Sequence, residues 1–159
     1  MKGKIYFSAL VLVLFAACAS YKPPKQRDFV KEATYEKPYD DIWKAAIEWF
    51  ATQGTPVKNM DKQSGFISTE HSLTANNMFW MDCGTVAEKP FGLQRFEDPR
   101  GNFNLLIKKI DDANTSVTVN CFFKTTSKDY NMGELTSTEV KECVSTGRLE
   151  KEILDYLGK

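Results

Sequence analysis

The chain has 159 residues, with 21 basic side chains, 21 acidic ones and a single histidine. Setting aside the first 17 residues as a leader leaves 159 − 17 = 142, enough for one packed domain, and removes two lysines, so that 21 − 2 = 19 bases face 21 acids. A formal charge near −2 supplies no basic face for nucleic acid, and of four cysteines, at 18, 83, 121 and 143, the last three allow one disulfide if the chain is exported to an oxidising compartment.

Lys2 and Lys4 precede an apolar run from Ile5 to Phe15 broken only by Ser8, and Ala16-Ala17 follow as small residues, the layout of an export signal over residues 1–17. Cys18 comes next, and Phe15-Ala16-Ala17-Cys18 resembles the lipobox of bacterial lipoproteins, although Phe15 stands where that family usually carries Leu. The resemblance implies that Cys18 is acylated and becomes the mature N-terminus. Anchoring would then rest on ~0.8 kcal/mol per buried CH₂. Ala19, in place of the Asp that retains such lipoproteins at the inner membrane, implies sorting to the outer membrane with the domain on its periplasmic face. A one-pass membrane anchor is the alternative, and the apolar run is shorter than the ~20 residues it needs.

Residues 18–32 are polar, and Pro23-Pro24 favours extended backbone, which predicts a tether reaching at most roughly 45 Å at ~3.3 Å per residue. A first strand is expected over Ala33 to Lys37. Pro38-Tyr39-Asp40-Asp41 opens a helix whose acids complement its dipole, with Trp43, Ala46, Ile47 and Phe50 as the inward stripe and Gly54 ending it. Thr55 to Met60 and Gly65 to Glu70 read as a hairpin, with Gly65 at positive φ. Residues 71–77 are polar. Met78-Phe79-Trp80-Met81 then lie in an expected strand, Asn77 to Asp82, and Gly84 to Gly101, with Pro90, Gly92 and Pro99, reads as a long loop.

Asn102 to Ile110 is expected as a strand with Phe103, Leu105 and Ile107 on one face. Asp111 to Thr115 turns it into a second strand, Ser116 to Thr126, where Val117, Val119, Cys121 and Phe123 share a face. Ser127 to Thr138 is polar, and Glu139 to Val144 is expected as a short last strand. Ser145 or Thr146 then caps a helix carrying Leu149, Ile153, Tyr156 and Leu157.

Cys121 reads as a small core residue, whereas Cys83 and Cys143 sit at element edges where backbone can adjust, and they are the expected disulfide pair. No nucleophile elbow, phosphate loop, zinc-protease helix or CxxC pair occurs, so no enzyme activity, cofactor or metal site is expected. A His71–Cys83 dyad is conceivable on residue type alone, but the disulfide explains Cys83 better. Asp111, Asp112 and Asn114 lack calcium-loop spacing and suit a turn. Phe79 and Trp80 have two readings: a strand covered on both sides, or an exposed aromatic ledge for a protein partner.

The element order, together with Tyr39-Asp40-Asp41-Ile42-Trp43, Asp61-Lys62-Gln63-Ser64-Gly65-Phe66-Ile67 and Leu149-Glu150-Lys151-Glu152-Ile153-Leu154, resembles the helix-grip domains of BamC-like bacterial lipoproteins over roughly residues 33 to 158. The resemblance implies an α+β fold in which an antiparallel sheet grips the C-terminal helix, as a single domain over residues 33–159. It also implies an accessory role in envelope assembly through a protein partner. An apolar-ligand carrier, with its ligand between sheet and C-terminal helix, is the alternative. Phe103, Phe123, Trp43 and Tyr156 crowd the expected inner faces and favour the interaction module.

Overall fold

The computed structural model describes residues 21–73, 75–86 and 92–159. The fold is α+β, an antiparallel sheet with two helices, and the C-terminal helix packs on the sheet. The strands are β1 (Glu32–Tyr35), β2 (Val57–Asp61), β3 (Phe66–Thr69), β4 (His71–Ser72), β5 (Met81–Asp82), β6 (Gly92–Lys109), β7 (Thr115–Asn131) and β8 (Glu134–Ser145). The helices are α1 (Tyr39–Thr52) and α2 (Arg148–Leu157). The main path of the sheet runs β2-β3-β6-β7-β8-β5, with β1 added to β7 and β4 to β6.

The alternation of Phe103, Leu105 and Ile107 on β6 with Val117, Val119 and Phe123 on β7 makes one face of the central ladder apolar, and each of these side chains is buried. Both helices cover that face, α1 against β6 and α2 against β7. In α1 the buried stripe is Ile42, Ala46, Trp49 and Phe50, while Trp43 and Ile47, expected inside, are only partly covered. In α2 it is Leu149, Ile153, Leu154 and Leu157. Burying one such large side chain contributes about 1.5–3 kcal/mol, and here both helices draw on the same sheet face.

Two glycines close turns as anticipated. Gly54 takes φ +62° just past the end of α1. Gly65 takes φ +72°, and a Cβ there would lie 1.9 Å from the Ile107 carbonyl oxygen. Before it the Asp61 carboxylate accepts the Gln63 amide at 2.9 Å and closes the hairpin. Asp111 does the same for its turn, accepting the amides of Ala113 and Asn114 at 2.8 Å, so these acids serve turn geometry.

Four assignments of secondary structure after α1 need correction. Asn77 to Asp82 is not one strand: Ala75–Trp80 is a 3₁₀ segment leading into β5. The run from Gly84 to Gly101 is not all loop, since β6 begins at Gly92. Asp98 (φ 51°) and Pro99 form a bulge between Glu97 and Arg100, where a proline costs no ladder bond. The polar stretch Ser127 to Thr138 is the outer half of β7 and the start of β8, joined through Met132 and Gly133 at φ 50° and 87°, the backbone of a tight hairpin turn. At α2, finally, neither Ser145 nor Thr146 is the cap. Gly147 occupies that position at φ +80°, and the Ser145 hydroxyl accepts its amide at 3.0 Å.

Residues 21–31 belong to the expected tether and instead lie along the domain. Lys22 pairs with Thr85, the Tyr21 hydroxyl donates to the Cys83 carbonyl at 3.1 Å, and the Lys31 carbonyl accepts the Val119 amide at 2.8 Å. Asp82 clamps the segment, accepting the Lys25 amide at 3.3 Å with Arg27 3.6 Å away. Pro23-Pro24 keeps this stretch extended, which lets it follow the edge without folding on itself.

Tyr35 joins β1 to α2 by donating its hydroxyl to the Leu154 carbonyl at 2.7 Å. Burial first, and the nearby Asp155 carboxylate second, push its pKa from 10.0 up to about 12. The fold favours the neutral phenol, so this contribution to stability is complete below pH 10 and is lost as pH rises from 10 to about 12. Tyr35→Phe should flatten the stability profile across that window in alkaline unfolding titrations, and it should cost about 1 kcal/mol at neutral pH for the lost hydrogen bond.

Candidate interaction site

The expected disulfide is present: Cys83 and Cys143 are bonded across a sequence separation of 60, with Cα atoms 4.3 Å apart. It ties the end of β5 to β8, beside the pairs Met81–Ser145 and Asp82–Val144. This bond leaves Cys83 without a thiol, so no nucleophile remains for the His71–Cys83 dyad. Cys18 and the export signal lie outside the described residues.

Next to this staple the 3₁₀ segment separates Phe79 from Trp80. A 3₁₀ turn advances each residue by about 120° around its axis, so neighbours cannot share a face. Trp80 turns inward, 8% exposed, its ring 6.2 Å from Phe103 in an edge-to-face contact. Phe79 turns outward, 48% exposed, and packs on the edge of Trp80 at 5.5 Å. Of the two readings of this pair, the covered one describes Trp80 and the exposed ledge describes Phe79.

The ledge is held by backbone. The Thr146 hydroxyl donates to the Phe79 carbonyl at 2.8 Å, and the Thr146 amide donates to the Trp80 carbonyl at 2.9 Å. From the first turn of α2 the Arg148 guanidinium lies 5.7 Å from the Phe79 ring centroid. On the other side of this turn Phe29 packs on Gly147, where a Cβ would lie 2.5 Å from its ring, and Val30 is exposed. The same end of the molecule thus presents Phe79, Arg148 and Val30. Sequence reasoning missed Arg148 because its partner is 69 residues away and no local pattern marks it.

Cys121 is free and half-buried. Among the described residues no strand pairs with its β7 edge between Val119, whose amide the Lys31 carbonyl takes, and Phe123, where pairing with β8 begins, so sharing a face with Val119 did not suffice to bury it fully. Burial, followed by the neighbouring Glu150 carboxylate, pushes its pKa well above the ordinary thiol value. Glu150 is itself buried, with one oxygen accepting the Ser145 hydroxyl at 2.8 Å and its carboxylate beside the Cys121 thiol. A thiol held protonated in this way is a poor nucleophile.

No protein-family model matches the chain, and no curated protein is significantly similar to it. Among the described residues no helix is long and apolar enough to cross a membrane.

Proposed function

We infer that this chain is a lipoprotein anchored through Cys18 to the periplasmic face of the outer membrane, acting as a non-enzymatic protein-interaction or scaffold module of the BamC-like helix-grip type. The observation that carries the interaction reading is the division of labour in the 3₁₀ segment. Trp80 fixes the segment in the core, and Phe79 is thereby presented to solvent at a rigid place, with a guanidinium beside it. Aromatic and arginine side chains at a preformed site are the residue types that dominate protein interfaces, because they bury much area for few frozen rotors. The anchor rests on the order of charge, apolar run, small residues and cysteine in Met1 to Cys18.

Packing disfavours the ligand-carrier alternative. The space between sheet and α2 is taken by Phe103, Val119, Leu149 and Ile153, all fully buried. An apolar groove lies outside it, between residues 29–35 and α2, and is bordered by Arg148 and Lys151.

Intact-mass measurement of membrane-extracted protein should show an acylated chain beginning at residue 18. Capture from detergent-solubilised envelopes should then yield a protein retained by the wild type and lost with Phe79→Ala, while the thermal midpoint of that variant stays within about 2 °C, as for other exposed substitutions. An unmodified Cys18 overturns the anchor. A co-purifying lipid, with capture indifferent to Phe79, overturns the interaction reading in favour of the carrier.

A further inference from the structure

Over residues 134–142 β8 is paired on one side only among the described residues. β7 follows it from Glu134 to Cys143, while on the other side β5 reaches Val144 and Ser145 and no other described strand joins it. Residues 134–140 are all exposed. A strand edge of this length offers a row of unpaired amides and carbonyls that can template a further strand.

The bulge in β8 decides which side chains meet a newcomer. Asp129 is opposite Ser137 and Tyr130 is opposite Leu135, so Thr136 is the extra residue. Because opposed residues share a face and Asp129 and Tyr130 do not, Leu135 lies on the same face as Thr138 and Val140. Leu135 and Val140 are 53% and 66% exposed on that face. Glu134 and Lys141 share the opposite face, where the Lys141 ammonium lies 3.6 Å from Glu139 and 4.4 Å from the centroid of the Tyr21 ring.

We propose that two copies of this chain pair edge to edge through β8, antiparallel, about a twofold axis at Thr138. This register sets Thr138 opposite Thr138 of the second copy and Ser137 opposite Glu139. With the bulge absorbed, Leu135 then meets Val140 and Glu134 meets Lys141, each pair occurring twice by symmetry. Neighbouring registers fail. An axis at Glu139 opposes that carboxylate to itself, an axis at Ser137 opposes Glu139 to Glu134, and an axis at Val140 drives Leu135 onto Val144, which β5 already occupies. The one register that uses the whole free edge is thus also the one with matched charges and matched apolar pairs, and this favours a second copy over an unrelated peptide. The inference is independent of the Phe79 ledge.

Sedimentation of the full chain over a range of concentrations should show a reversible shift from monomer to dimer. Thr138→Cys should oxidise to a covalent dimer, since opposed antiparallel Cα atoms lie about 4.5–5.5 Å apart, within disulfide reach. Ser137→Cys, opposed to Glu139 and not to itself, should cross-link far less. Glu134→Lys should weaken association by about tenfold, from two like-charge pairs, and adding Lys141→Glu should restore it. A chain that stays monomeric at every concentration, or equal cross-linking at 137 and 138, overturns the pairing, as does a charge-swapped double variant no stronger than Glu134→Lys alone. Both cysteine positions are exposed, so neither readout depends on a core residue.

Discussion

Trp80→Ala should lower the free energy of unfolding by about 3–5 kcal/mol, the range for removing a buried aromatic, whereas Phe79→Ala should change it by less than about 0.5 kcal/mol. The contrast tests whether the 3₁₀ segment divides its two rings as described. Trp80 meets Phe103, which in turn meets Phe123 at 6.0 Å, so its loss opens a void at the end of a continuous aromatic row. Its indole Nε1 has no acceptor among the described residues, a cost the fold already bears. Trp80→Phe, which removes that donor and keeps most of the ring, should therefore cost far less than Trp80→Ala. Urea unfolding of the three variants decides the matter. Equal losses at 79 and 80 would mean that both rings are core, and the ledge would disappear as a binding site.

Replacing both Cys83 and Cys143 by serine, or reducing the wild type, should cost about 4 kcal/mol, since the bond closes a loop of about 60 residues. The loss should also be local. Tyr21 is bonded to the Cys83 carbonyl and Lys22 to Thr85, so residues 21–27 should become susceptible to protease before the rest of the domain unfolds. Cys121 should not substitute as a bridge, because its thiol is held protonated. Stability unaffected by reductant would show that β5 is held by its hydrogen bonds alone.

The parts of the fold that sequence reasoning located are those where burial imposes a period. Phe103, Leu105 and Ile107 alternate because one side of the ladder is dry, and α2 repeats its apolar positions because one stripe faces the sheet. Where both faces are wet the period vanishes. The outer halves of β7 and β8 carry Thr, Ser, Lys and Glu on either side, and such a stretch cannot be told from a loop by pattern. Met78 to Met81 failed for the opposite reason, since four large residues in succession suit a covered strand as well as a tight helical turn. In the candidate site, an apolar run without alternation marked Phe79 and Trp80, and position at the edges of elements marked the two cysteines. The docking of residues 21–31 was not legible, because it depends on Asp82 and Cys83, 57 and 62 residues further along the chain from the groups they meet.

The bond from Tyr35 to Leu154 spans 119 residues, and β1 has its only described strand partner at residues 115–118. Until residues 115–118 are in place β1 is an orphan strand, while β2 with β3 can already close as a hairpin. The sheet is therefore completed from within, and β1, which precedes every other described strand, is among the last to find its place. Folding should be slow for a domain of this size, because so much of its closure waits on distant contacts. β1 and the C-terminal helix meet along one seam, and cutting into either element opens that same seam.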